Sequence, residues 1–207
     1  MEFNREFWAT QPVIPVVVID SEDLAVPLAK TLVENGMRRI EITLRTSSAL
    51  NAISKIRAEV PSVLVGAGTV LNPSNFKDAL SAGANFIVSP GSTEELRKLF
   101  SKSSVPVLPG CSTVSEAMEL MDAGFEVAKF FPASESGGIP MLNAISTVLK
   151  KISFCPTGGI NASNYLDYLA LPNVACVGGS WVTPKDLINN EDWSGIAKLI
   201  SAIGERK

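Results

Sequence analysis

Apolar residues along this chain fall into two alternating kinds of segment. Short, β-branched runs cover residues 12–19 ("PVIPVVVI"), 39–44 ("RIEITL"), 63–70 ("VLVGAGTV"), 85–90 ("NFIVSP"), 105–110 ("VPVLPG"), 126–131 ("EVAKFF"), 153–158 ("SFCPTG") and 173–179 ("NVACVGG"). Each is too short for a helix and is bounded by Gly, Pro or Ser, which predicts eight strands. Their apolarity is nearly continuous rather than alternating, the pattern of strands covered on both faces in a parallel sheet. The segments between them carry a helical period. "SEDLAVPLAKTLVENG" opens on a serine cap and an acidic first turn and closes on Gly; "STEELRKLFSKS" and "STVSEAMELMDAG" open the same way. Strand then helix, eight times over, predicts a (β/α)8 barrel with a repeat of about 23 residues, near the minimum for such a unit. An open doubly wound sheet is the rival fold, and the regularity of eight units favours the barrel. The length leaves no room for a second domain. The expectation is therefore one α/β domain over residues 1–207, a single TIM barrel, with "EFNREFW" as a short N-terminal helix covering its bottom.

Composition narrows what such a domain does. With 46% apolar and 19% charged residues the chain suits a soluble globular protein with a sizeable core. A net charge of -3 argues against a nucleic-acid surface, which needs a basic face. No apolar run approaches the roughly 18 residues of a membrane span. "MEFNREFWAT" lacks an apolar signal core, so a cytoplasmic location is expected. Three cysteines, Cys111, Cys155 and Cys176, sit in apolar segments without metal spacing, and read as buried, reduced thiols. Histidine is absent, which removes the commonest general base, the commonest metal ligand and any Ser–His or Cys–His pair. Any chemistry must come from carboxylate, lysine, hydroxyl or backbone groups.

In a barrel of this kind those groups are sought at the C-terminal strand ends. Glu41, Thr43 and Arg45 share one face of the second strand, because strand side chains repeat every second residue. A carboxylate and a guanidinium there are costly unless paired or used. A structural Glu41–Arg45 ion pair and a functional pair are both open on this pattern. Thr69 and Pro90 end the third and fourth strands. Lys129 interrupts "EVAKFF" on the same face as Val127 and Phe131. Desolvation exposes the lone pair of such an amine, which can then form a Schiff base with a carbonyl. A lysine snorkelling from a strand end is the plainer alternative. Two glycine turns, "TGGIN" (157–161) and "GGSW" (178–181), follow the seventh and eighth strands, where barrels commonly hold phosphate. Each alone is also an ordinary tight turn. Ser180 adds a hydroxyl. "SESGG" (134–138) reads as a flexible turn near the site, and Trp181 and Trp193 as packing residues.

"EITLRT", "VGAGTVLNP", "SPG", "KFFPA", "FCPTGGI" and "GGSW", in this order and spacing, resemble the bacterial 2-keto-3-deoxy-6-phosphogluconate (KDPG) aldolases, a family that includes 4-hydroxy-2-oxoglutarate (KHG) aldolases. The likeness runs from about Pro12 to the C-terminal helix. It implies a homotrimeric (β/α)8 barrel and a class I lyase without metal or cofactor. The small-molecule partner would be a keto-acid phosphate, cleaved to pyruvate and glyceraldehyde 3-phosphate, with 4-hydroxy-2-oxoglutarate as a second substrate. Carried over by position, Lys129 forms the Schiff base, Glu41 transfers protons through a water, and Arg45 grips the substrate carboxylate. Thr69 and Pro90 line the pyruvate pocket. Thr157, Gly158, Gly159, Gly178, Gly179 and Ser180 take the phosphate side. The rivals are a phosphosugar isomerase or synthase using Glu41 as base, and a non-catalytic phosphosugar sensor.

Overall fold

The protein was analysed as a computed structural model, in which residues 5–203 are described. Its strands are β1 (Val13–Val17), β2 (Arg39–Thr43), β3 (Leu64–Gly68), β4 (Phe86–Val88), β5 (Val107–Leu108), β6 (Gly110–Cys111), β7 (Val127–Phe130), β8 (Ser153–Pro156) and β9 (Val177–Gly179). The helices are α1 (Arg5–Ala9), α2 (Ala25–Glu34), α3 (Ala49–Glu59), α4 (Pro73–Ser81), α5 (Glu94–Phe100), α6 (Val114–Asp122), α7 (Gly138–Val148), α8 (Tyr165–Leu169), α9 (Lys185–Asn189) and α10 (Trp193–Ser201). All strand pairings are parallel. One sheet runs β5-β4-β3-β2-β1-β9 and the other β6-β7-β8. The protein is thus an α/β fold with a curved parallel sheet. The fifth predicted strand appears as two pieces, β5 and β6. Pro109 between them has no N–H to give, although its carbonyl accepts from the Lys129 N–H at 2.8 Å. Between β8 and β9 the pairing thins to two parallel bridges, Phe154 with Val174 and Thr157 with Gly178.

The near-continuous apolarity of the strands has a direct cause. Alternate residues enter two different cores. Ile40 and Ile42, Val65 and Ala67, Ile87, and Ala128, Phe130 and Phe154 pack outward against the helices. Ile14, Phe86, Val88, Leu108, Val127 and Cys155 form a separate inner cluster with Trp8. With strand side chains alternating, Arg39, Glu41 and Thr43 of β2, Gly66 and Gly68 of β3, and Lys129 of β7 belong to the inner face.

Helix starts follow their caps. Ser21 accepts from the Asp23 N–H and caps a short 3-10 turn (Glu22–Leu24) that leads into α2. At the other two predicted starts the cap is the following threonine rather than the serine. Thr93 accepts from the Leu96 N–H, and Thr113 forms a reciprocal capping box with Glu116. Ser92 instead donates to the Gly110 carbonyl.

Of the expected N-terminal helix over residues 2–8, residues 2–4 lie outside the described part. The rest is α1, which crosses the N-terminal ends of three strands. Arg5 Nε donates to Ser153 Oγ at the start of β8, and the Trp8 ring meets Phe86 of β4 edge-on at 5.6 Å. The Arg39 guanidinium at the start of β2 stacks 4.2 Å over the Phe7 ring. Burial holds the Arg39 guanidinium below its ordinary pKa. All three cysteines are buried and none forms a disulfide among the described residues, and burial pushes the Cys111 thiol up to about 12.

Candidate active site

The centre of the site joins two strands far apart in sequence. Lys129 Nζ on β7 lies 3.3 Å from Glu41 Oε1 on β2, and the residues are 4% and 3% exposed. Both sit on the inner face. A buried ion pair whose partners lack apolar substitutes is a costly element, so its presence calls for a chemical reason. The structural Glu41–Arg45 pair left open by the sequence is not what forms, since the ion-pair partner of Glu41 is Lys129. Arg45 lies beyond the end of β2, in the turn, and its Nε donates to Thr69 Oγ1 at 3.3 Å. Thr43 donates to the Val17 carbonyl at 2.8 Å and ties β2 to β1 beside the site.

Glycines make the space that this pair needs. A Cβ on Gly68 would sit 2.1 Å from Glu41 Oε1, so no other residue at that place on β3 leaves room for the carboxylate. Gly66, two residues earlier on the same face, is filled from the other side by the Phe86 ring, also 2.1 Å from a built Cβ. Of the two glycines in "GAG" (66–68), the first makes room for the Phe86 ring and the second for the Glu41 carboxylate. Thr69 follows with φ of +60°, a strained conformation for a β-branched residue, and it presents its hydroxyl to Arg45. Pro90 lies past the end of β4. Its carbonyl group packs on Gly110, the register partner of Lys129, and a Cβ at Gly110 would come within 2.2 Å of it.

A cavity of about 570 Å³ opens at the C-terminal strand ends. Its wall includes Arg45, Thr157, Gly158, Gly159, Gly178, Gly179 and Ser180. Lys129, Glu41, Thr69 and Pro90 are not in the wall. The Phe131 ring connects the two zones: it lines the cavity, and Lys129 Nζ lies 5.5 Å from its centroid. Gly158 and Gly159 have φ of +97° and +72°, which L side chains rarely adopt, and a Cβ on Gly159 would collide with Ser134 Oγ. The "SESGG" segment is a hydrogen-bonded turn, in which the Ser134 N–H donates to the Gly158 carbonyl at 3.2 Å. Gly178 leaves room for Thr157 Oγ1, and Gly179 for the Trp181 ring. Trp181 packs on Tyr165 at 5.6 Å, as a packing residue should, and also lines the cavity.

Sequence reasoning missed Phe131, Thr183 and Lys185 as cavity residues. Phe131 had a signal, since it lies two residues from Lys129 on the same strand face. Thr183 and Lys185 had none, because they come from the turn after the last strand, where no period applies.

Known proteins resemble this chain in sequence and fold. The family model "KDPG and KHG aldolase" matches residues 5–199. The chain is 50% identical over 190 residues to the KHG/KDPG aldolase of Escherichia coli strain K12, covering 92% of this chain and 89% of that protein. Two solved structures superpose closely. One is the KDPG aldolase of Legionella pneumophila with pyruvate captured at low pH as a covalent carbinolamine intermediate. It gives a TM-score of 0.93 at 49% identity, covering 96% of each chain. The other is the KDPG aldolase of Zymomonas mobilis with 3-phosphoglycerate. It gives a TM-score of 0.90 at 41% identity, covering 97% of this chain and 94% of that one.

Proposed function

The chain belongs to the KDPG and KHG aldolase family, and we propose that the buried pair of Lys129 and Glu41 carries its reaction. The protein is a carbon–carbon lyase that cleaves 2-dehydro-3-deoxy-6-phosphogluconate to pyruvate and glyceraldehyde 3-phosphate, with 4-hydroxy-2-oxoglutarate as a second substrate. The 3.3 Å contact between a buried amine and a buried carboxylate, at the strand ends where a cavity opens, carries the assignment of residues.

In this mechanism the Lys129 amine adds to the C2 ketone to give a carbinolamine. Loss of water leaves a protonated imine, which acts as an electron sink. Glu41, through a water, takes the C4 hydroxyl proton, the C3–C4 bond breaks, and its electrons flow to the imine nitrogen as an enamine. Glyceraldehyde 3-phosphate departs. Glu41, through a water, delivers a proton to C3 of the enamine, and hydrolysis frees pyruvate and the amine. Arg45 holds the keto-acid carboxylate with its planar fork, positioned by Thr69. Thr69 and Pro90 border the pyruvate end. Thr157, Gly158, Gly159, Gly178, Gly179 and Ser180 receive the phosphate, and they share one cavity wall with Arg45, within reach of one substrate.

The same reading treats the chain as one domain, closed as an eight-stranded barrel. Two observations support closure: β5 and β6 are consecutive pieces of one strand, and parallel bridges connect β8 with β9. The working unit is a homotrimer, on the family resemblance, and the location is cytoplasmic, which suits three buried thiols outside any disulfide. No helix among the described residues is long and apolar enough to cross a membrane.

Incubation with pyruvate and borohydride tests the reading. A reduced pyruvyl adduct is expected on Lys129, and a peptide digest with Lys129 unmodified would refute it. A phosphosugar isomerase or a sensor gives no adduct.

A further inference from the structure

The cavity wall carries two charged side chains among the described residues, and both are cations: Arg45 and Lys185. Arg45 belongs to the keto-acid end. Lys185 is the first residue of α9, on the rim beside Gly178, Gly179 and Ser180. Its Nζ lies 2.9 Å from Asp20 Oδ2, beyond the end of β1, and the Asn189 amide donates to the same oxygen at 3.1 Å. These contacts hold the Asp20 carboxyl below the usual range, first through the Lys185 hydrogen bond. The Lys185 side chain is 55% exposed, so its ammonium can turn toward a ligand at little cost. Beneath it, Thr183 is only 3% exposed and lines the cavity, yet its hydroxyl has no hydrogen-bond partner among the described residues. A buried, unpartnered hydroxyl needs explanation, and a ligand oxygen supplies one.

We propose that Lys185, with Thr183 beside it, is a selectivity element that receives the distal phosphate monoester of the substrate, while Asp20 holds the lysine on the rim until the phosphate arrives. The proposal rests on the aldolase reading above and deepens it, since a cavity whose wall carries two cations fits a substrate with two anions. The glycine turns provide backbone donors but no formal charge. Lys185 provides the charge, and Asp20 partly offsets it when the cavity is empty. The two partners should therefore act on selectivity with opposite signs. Removing the lysine lowers the preference for a phosphorylated substrate, and removing the carboxylate raises it.

The experiment compares kcat/KM for 2-keto-3-deoxy-6-phosphogluconate and for its dephosphorylated analogue, on the same carbon chain, in wild type, Lys185→Met, Lys185→Arg and Asp20→Asn. Lys185→Met should lower the ratio of the two by about tenfold, the low end for a hydrogen bond to a charged group, chiefly through KM. Lys185→Arg should restore most of it, and Asp20→Asn should raise it. A ratio unchanged in Lys185→Met would overturn the proposal. So would Lys185→Met and Asp20→Asn lowering both substrates alike, the result of a clamp that only ties α9 to the β1 end. Borohydride trapping of pyruvate on wild type is run alongside. Its failure would overturn the aldolase reading and this proposal with it, whereas trapping with an unchanged ratio overturns the proposal alone.

Discussion

The two ends of the inner face treat a buried charge on the same strand in opposite ways. Arg39 and Glu41 are two residues apart on β2 and both lie inside, 6% and 3% exposed. At the N-terminal end Arg39 is shut in by α1. Its guanidinium stacks on Phe7 and donates to Thr10 Oγ1, with Trp8 and Phe86 filling the space alongside. At the C-terminal end Glu41 faces an amine, and the cavity opens beyond. One end absorbs its charge into a packed plug, and the other keeps a carboxyl group and an amine where a substrate can use them. The adjoining strand repeats the contrast, since Gly66 makes way for an aromatic ring and Gly68 for a carboxylate. Stability and chemistry are thus separated along about 7 Å of strand.

Substitutions can break that separation, and their effects grade downward. Lys129→Met should abolish turnover and pyruvate trapping. It should also lower stability by about 3–5 kcal/mol in urea unfolding, because Glu41 is left buried without its partner. Adding Glu41→Leu should recover stability without activity. Glu41→Gln should slow turnover by roughly 10² to 10⁴ in a coupled pyruvate assay while the borohydride adduct still forms, which separates proton transfer from imine formation. Gly68→Ala displaces the Glu41 carboxylate, and a shift of about 1 Å predicts a loss on the order of 10² in kcat with little change in the urea midpoint.

The remaining predictions concern the plugged end. Trp8→Ala should cost about 3–5 kcal/mol in unfolding free energy and leave kcat/KM of the folded protein near wild type. Gly66→Ala, next to Phe86, should cost about 1–3 kcal/mol by overpacking, again without a kinetic effect. Gly66→Ala with a kinetic defect as large as that of Gly68→Ala would erase the contrast between the ends. Equal kinetics for the two variants at wild-type level would show that Glu41 tolerates displacement.

Much of this was legible in advance where a local rule applies. Strand and helix alternation follows from the period of apolar residues, and a lysine between Val-Ala and Phe-Phe stands out because apolar neighbours rarely tolerate one. Glycine at 158 and 159 follows from the turn after the seventh strand. A structural pairing of Glu41 with Arg45 was left open by their shared strand face, and it does not form, since Glu41 pairs with Lys129. The sequence pattern puts helix caps on Ser92 and Ser112, and the structure puts them on Thr93 and Thr113, since either hydroxyl satisfies the pattern and only the angle of entry selects one.

Sequence alone determined which segments are strands, which residues face inward, and which side chains are too polar for where they lie, because burial and alternation are written into neighbouring positions. The tertiary structure alone decided who meets whom. It set Lys129 against Glu41 across 88 positions, gave Gly66 to a ring and Gly68 to a carboxylate, and brought Thr183 and Lys185 to the cavity wall. Those pairings depend on the stagger and curvature of the parallel strands, which arise from the packing of all of them together.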